Sequence, residues 1–277
     1  MRILLAFGVL LFIVAAPALA VPADVMTIVR HMKDVFEPAQ PSTRKVELSV
    51  TGPNGEDVLW VAHQARAQQA DGKRTLLVVQ EPEYTKGNAL LIWEREGRPN
   101  IMWWYPPALR RVRELVPVEA YQRFFDTDLT YADLGFIDRQ GSYRLLGEEE
   151  HNGAPTYKIE LVPVQKVSYS RILTWVAVDT MLPVQRDYYD VADRLWKTMT
   201  FDRVKTIDGV PTPLHIRMHD LQQDSTTDVT FSEVRYGVDL PKSVFDPEHL
   251  AQTIEAQWWQ SDKAHVAARN ESHQAAE

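Results

Sequence analysis

Between residues 44 and 236 the hydrophobic pattern has a period of two, and Asn-Gly and Asp-Gly pairs interrupt it repeatedly. Val46, Leu48 and Val50 alternate with polar neighbours, and Leu214, Ile216 and Met218 alternate with His215, Arg217 and His219. Strand side chains point to opposite faces in turn, so each such run reads as a half-buried strand. Asn54-Gly55, Asp71-Gly72, Asn152-Gly153 and Asp208-Gly209 lie between pairs of runs, and these residues favour tight hairpin turns. Strands are expected from residue 44 and over 58–68, 75–80, 88–95, 100–105, 109–116, 143–150, 155–162, 170–178, 183–189, 194–205, 212–220 and 226–236. Many short strands with regular turns constrain the chain to one sandwich or barrel-like β domain with no dividing linker.

The two ends read differently. Met1-Arg2, the apolar run from Ile3 to Ala16, Pro17 and Ala18-Leu19-Ala20 have the anatomy of a cleaved secretory signal peptide. A retained anchor is the rival reading, but a span needs roughly 20 apolar residues and Pro17 and Pro22 interrupt this one. Residues 24–36 predict a helix, with Asp24 as N-cap and Val25, Ile28, Val29, Met32 and Phe36 at helical spacing, ended by Pro38 and Pro41. A second helix is expected over 247–259, where Leu250, Ile254 and Trp258 share a face and Asp246 or Ser243 caps the start. The implied organisation is a signal peptide at 1–20, one domain at 21–250, and a C-terminal helix with a frayed polar tail at 251–277.

Composition excludes several classes of function. The chain has no cysteine, which removes disulfides, thiolate metal sites, a cysteine nucleophile and a lipid-bearing cysteine. Its formal charge is −8, or −9 once Arg2 leaves with the signal, and such an acidic chain is a poor nucleic-acid binder.

The segment Trp103-Trp104-Tyr105-Pro106-Pro107-Ala108-Leu109-Arg110-Arg111-Val112-Arg113 is an aromatic strand broken by a proline pair and followed by arginines. Proline removes ladder donors, so the strand either rims an apolar cavity or is a core strand that ends at a bulge. Arg110, Arg111 and Arg113 read as contacts for an anionic head group or acidic partner, or as a solvated face. Asp126 and Asp128, with Thr127 and Thr130, suit a structural turn or cap better than acid–base work. His215 and His219 lie roughly 13 Å apart on a strand and cannot share a metal ion. No nucleophile elbow or phosphate loop is present, so neither an enzyme, a cofactor nor a metal site is expected.

The aromatic–proline–arginine segment and the following Phe124-Phe125-Asp126-Thr127-Asp128-Leu129-Thr130-Tyr131-Ala132-Asp133-Leu134 resemble the signature of the outer-membrane lipoprotein-sorting family, the LolA-like half-barrels. Further similar motifs follow in order: the strand ending Trp175-Val176-Ala177-Val178-Asp179, Leu182-Pro183-Val184-Gln185-Arg186, Leu195-Trp196-Lys197-Thr198 and Ile207-Asp208-Gly209. The resemblance covers about residues 44–250. It implies a mainly β fold with flanking helices: an incomplete antiparallel β-barrel wrapped around lid helices. The chain departs from the family's pattern at Asp126 and Arg194, where glycine is usual.

The resemblance further implies a periplasmic carrier or chaperone that holds the acyl chains of a lipid or lipoprotein in an apolar cavity, without covalent chemistry. Trp60, Trp93, Trp103, Tyr105 and Trp175 are expected to line that cavity, and the helices at 24–36 and 247–259 to gate it. An inner-membrane transporter or an outer-membrane acceptor is the implied partner. The alternative is a lipid-responsive sensor, or an accessory protein of an inner-membrane exporter or regulator.

Overall fold

The computed structural model describes residues 24–256, apart from 53, 54, 56, 96, 117, 118, 120, 125, 135–140 and 165–167. The expected signal peptide, the Asn54 half of the first turn and the tail after residue 256 lie outside the described residues. Helix α1 (Val25–Phe36) precedes thirteen strands that form one antiparallel sheet in the order β6-β5-β4-β3-β2-β1-β13-β12-β11-β10-β9-β8-β7. In chain order these are β1 (Ser42–Thr51), β2 (Asp57–Gln69), β3 (Gly72–Glu81), β4 (Ala89–Glu94), β5 (Ile101–Tyr105) and β6 (Arg113–Glu114). After helix α2 (Tyr131–Leu134) come β7 (Gly141–His151), β8 (Ala154–Pro163), β9 (Arg171–Ala177), β10 (Pro183–Tyr189), β11 (Leu195–Ile207), β12 (Val210–Asp220) and β13 (Ser225–Tyr236).

The turns follow from the residues that make them. Asn152 and Gly153 both have positive φ, 52° and 82°, and so do Asp208 and Gly209, 48° and 80°. That pair of conformations matches the right-handed twist of the strands it joins. Register shifts occur between Thr43 and Lys45, Val61 and Ala62, Leu145 and Gly147, and Tyr188 and Tyr189. Such bulges bend a strand and increase its twist, which suits so wide a sheet to curl without closing. The expected strand over 109–116 is only β6, because Pro107–Leu109 forms a 3-10 turn and Arg110 follows at φ 43°.

β2, β3, β4 and β5 each bury apolar residues on both faces, whereas β1 does so only on the concave face. Val46, Leu48, Trp60, Leu77, Leu90 and Met102 belong to the core of the concave face. Ala65, Leu76, Val78, Ala89, Leu91 and Tyr105 belong to a second core on the outer face. The C-terminal segment covers that outer core with Val244, Phe245 and Leu250, the last opening α3 (Leu250–Glu255). Only one of the two expected gating helices therefore lies over the concave side. Among the described residues no helix is long and apolar enough to cross a membrane.

Helix α1 crosses the concavity from the β7 side to β12. Asp24 sits at its N-cap, but the carboxylate accepts from the Thr27 hydroxyl at 3.1 Å rather than from a backbone N–H. Ile28 and Val29 pack with Ile159 and Val176 of the sheet. The other end is fixed by charge. Glu37, with a fully buried carboxylate, meets Lys73 at 2.9 Å and Arg66 at 3.3 Å. Lys73 also donates to the Glu37 carbonyl at 3.1 Å, satisfying one of the carbonyls that a helix end leaves open. Burial lowers the pKa of Lys73, and Glu37 opposes that shift. Glu37→Ala leaves two buried cations without this carboxylate and is expected to cost about 3–5 kcal/mol of stability, read from urea denaturation.

Candidate functional site

Two cavities lie between α1 and the concave face. One, of about 90 Å³, is bounded by Val29, Met32, Tyr143, Ile159, Leu161 and Ile172. The other, of about 120 Å³, is bounded by Val46, Leu48, Leu77, Met199, Ile216 and Val229. Phe36, Asp133 and Arg186 border both. The Phe36 ring stands edge-on to Phe201, with centroids 5.4 Å apart, and the Arg186 guanidinium lies 6.0 and 5.3 Å from the two ring centroids. An apolar cavity of about 150 Å³ holds one benzene ring. Each cavity as it stands therefore has room for a short apolar segment, and a long acyl chain fits only if Phe36 and α1 move.

The walls are not uniformly apolar. Arg44, Gln64, Arg66 and Thr75 line the larger cavity. Arg44 lies over the Phe231 ring at 4.7 Å. Burial, with Arg66 adding repulsion, lowers its pKa to about 10, so it is still a cation at neutral pH. Asp133 is held by the Thr130 N–H at 2.8 Å and by the Tyr169 hydroxyl at 3.4 Å, and burial raises its pKa. The Asp133 N–H returns a bond to the Thr130 hydroxyl at 3.1 Å, a reciprocal cap that starts α2.

One side of the concavity is fixed by Asp128. Its carboxylate accepts from Ser225 at 2.5 Å, Thr227 at 2.9 Å and Arg123 at 3.2 Å. Its carbonyl accepts from the buried Lys197 ammonium at 2.6 Å. Burial lowers the Lys197 pKa, while Asp133, Asp220 and Asp128 raise it. This knot ties the 123–133 segment to β11 and β13 and brings Leu129 and Asp133 to the larger cavity.

A family model described as "uncharacterized protein", "-like", matches residues 71–252, more than half of the chain. A solved DUF1329 family protein from Desulfovibrio piger is 28% identical, covers 81% of this chain and 96% of its own, and superposes with a TM-score of 0.75. An outer membrane lipoprotein-sorting protein domain from Vibrio parahaemolyticus is 22% identical, over 81% of this chain and 97% of its own, also at 0.75. A LolA superfamily protein from Nitrosomonas europaea is 21% identical over 80% and 97%, at 0.66. The chain belongs to the family of that model, and it shares the fold of the LolA superfamily. No curated protein matches the sequence.

In this LolA-like sheet the aromatic residues expected at the cavity divide between the faces. Trp60 is on the concave face, edge-on to Tyr84. Trp103 and Tyr105 join the outer core, Trp93 stacks on Trp103 with centroids 6.2 Å apart, and Arg74 lies over the Trp93 ring at 3.8 Å. Trp175 stacks on His151 and donates to Glu149 at 2.6 Å. None of the five borders either cavity. Alternation separates two faces but does not say which is concave, and this is why four of the five lie on the face away from the cavities.

Arg110 and Arg111 are exposed beside the 3-10 turn, and Arg113 pairs with Glu119 at 2.7 Å and lies over Trp104 at 5.4 Å. Asp126 is exposed, whereas Asp128 is buried at the knot. His215 is sandwiched between Asp202 at 2.8 Å and Asp228 at 2.7 Å. Phe36, Arg44, Arg186 and Phe201 all border the larger cavity, although no sequence signal distinguishes them from core or surface residues. Asp128→Ala strips the Ser225 and Thr227 hydroxyls and Arg123 of their shared acceptor. It is expected to cost about 3 kcal/mol or more, seen as a lower urea midpoint with native far-UV circular dichroism before the transition.

Proposed function

We propose that this protein is a periplasmic carrier that holds acyl chains of a lipid or lipoprotein against the concave face, beneath α1, by burial alone. The observation that carries this reading is the pair of mostly apolar cavities separated by the Phe36 ring under the one helix that crosses the concavity. Each buried CH₂ contributes about 0.8 kcal/mol, so a long chain can be retained with no covalent step. The relative from Vibrio parahaemolyticus is an outer membrane lipoprotein-sorting protein domain, which supports a carrier role and a place in the periplasm. The apolar N-terminal run with its small-residue cleavage pattern agrees with export. Delivery from an inner-membrane transporter to an outer-membrane acceptor is the partnership such a carrier requires.

The test is uptake of a fluorescent acyl probe by the delipidated protein. Ile216→Trp adds bulk to the larger cavity from a partly exposed wall position and is expected to weaken probe binding about tenfold or more, while leaving the unfolding midpoint nearly unchanged. Trp103→Ser, on the outer face, is expected to leave uptake intact. Equal uptake by Ile216→Trp and the unaltered protein, or loss of uptake in Trp103→Ser alone, would contradict the proposal.

A further inference from the structure

The larger cavity has a polar end, and its parts come together through strand register. Arg44 of β1 faces Gln64 of β2 directly across the ladder, and Arg66, two residues on, faces Thr75 of β3. Directly opposed side chains on one face are neighbours, at Cβ separations of about 5 Å. All four line the same cavity.

Two features of this patch are unexplained by the fold. The Gln64 Oε1 and Thr75 Oγ1 atoms are buried with no hydrogen-bond partner, and Thr75 as a whole is only 3% exposed. Buried polar atoms are normally satisfied, and each one left without a partner is costly. Arg44 has no carboxylate within ion-pair distance among the described residues, and its guanidinium rests on the Phe231 ring instead. The surrounding charges do not balance it. Arg44, Arg66, Lys73 and Arg186 supply four positive charges, and Glu37, Glu94 and Asp133 supply at most three negative ones, an excess of at least one positive charge. Beyond the patch the wall becomes apolar at Val46, Leu48, Leu77 and Val229.

We infer that this end of the cavity is a head-group site for a single-chain amphiphile that ends in an oxyanion, a carboxylate or a phosphate monoester. The Arg44 guanidinium and the Thr75 hydroxyl donate to the anion, the Gln64 amide turns its NH₂ toward it, and the alkyl chain runs along the apolar wall toward Phe36. The inference deepens the carrier reading and rests on it: it assigns the cargo a head that ends in a free oxyanion, which the acyl chains of a lipoprotein lack. Charge-assisted hydrogen bonds are the strong ones, so the head should decide between chains of equal length.

The experiment measures binding of palmitate, hexadecanol and palmitoyl lysophosphatidic acid to the delipidated full chain by calorimetry. The unaltered protein is expected to bind at least one of the two anions about tenfold or more tighter than hexadecanol. The anion preferred tells a fatty acid from a phosphate-headed lipid. Arg44→Gln is expected to weaken the anion about ten- to hundredfold with hexadecanol affinity unchanged, and Arg44→Lys to keep most of the preference. Thr75→Val, a second and nearly isosteric variant, is expected to lower the preference in the same direction. Equal binding of hexadecanol and both anions overturns the head-group site and leaves the carrier reading standing. Parallel loss of all three ligands in Arg44→Gln and Thr75→Val also overturns it, since the residues then serve only the fold. Binding of none of the three by the unaltered protein overturns both readings.

Discussion

A single buried carboxylate decides where the concave face is covered. Glu37 stands at the point where α1 must end, just before Pro38, and it answers Lys73 from β3 and Arg66 from β2. Taking three charged groups out of water is expensive, and the cost is recovered only if the geometry is kept. The consequence is positional. With its C-terminal end tied to one half of the sheet, α1 reaches the other half through Ile28 and Val29, and Phe36 is left suspended over the concavity. The cavities, their shared wall and the polar patch all depend on that placement.

The Asp128 knot plays the matching part for the irregular segment. A loop rich in Asp and Thr would ordinarily be solvated, but this one is drawn in by hydroxyls of β13 and the ammonium of β11. Buried polar groups are tolerable when the network is complete, and here hydroxyls, guanidinium and ammonium all converge on one residue. The same network leaves Asp133 facing the concave interior, so the loop is wall as well as support.

Much of the fold was legible from the chain. Alternation located the strands, and the Asn-Gly and Asp-Gly pairs located hairpins whose positive φ values the structure bears out at 152–153 and 208–209. The strand expected over 109–116 shortens to β6, because hydrophobic pattern alone does not reveal a 3-10 turn with a left-handed residue at Arg110. The candidate site was much less legible. A two-residue period assigns Trp103 and Tyr105 to a common face, but the sign of the sheet's curvature is a tertiary property, and their face proved to be the one beneath the C-terminal segment. Nothing in the sequence singles out Arg44 or Gln64; only strand pairing sets them opposite each other, with a hydroxyl that has no partner nearby.

The Phe36 ring has a consequence for selectivity by length. It is the common partition of two compartments, each too small for a long chain, and it is carried on a helix that is pinned at one end. A short ligand can be housed in one compartment with the partition in place. A longer one must swing the aromatic ring off Phe201 and take its contacts over before it can pass from one room to the next. Under the proposed carrier role, chain length would thereby be converted into displacement of α1, and the number of methylenes in the cargo would be registered as a change of shape on the outside of the protein.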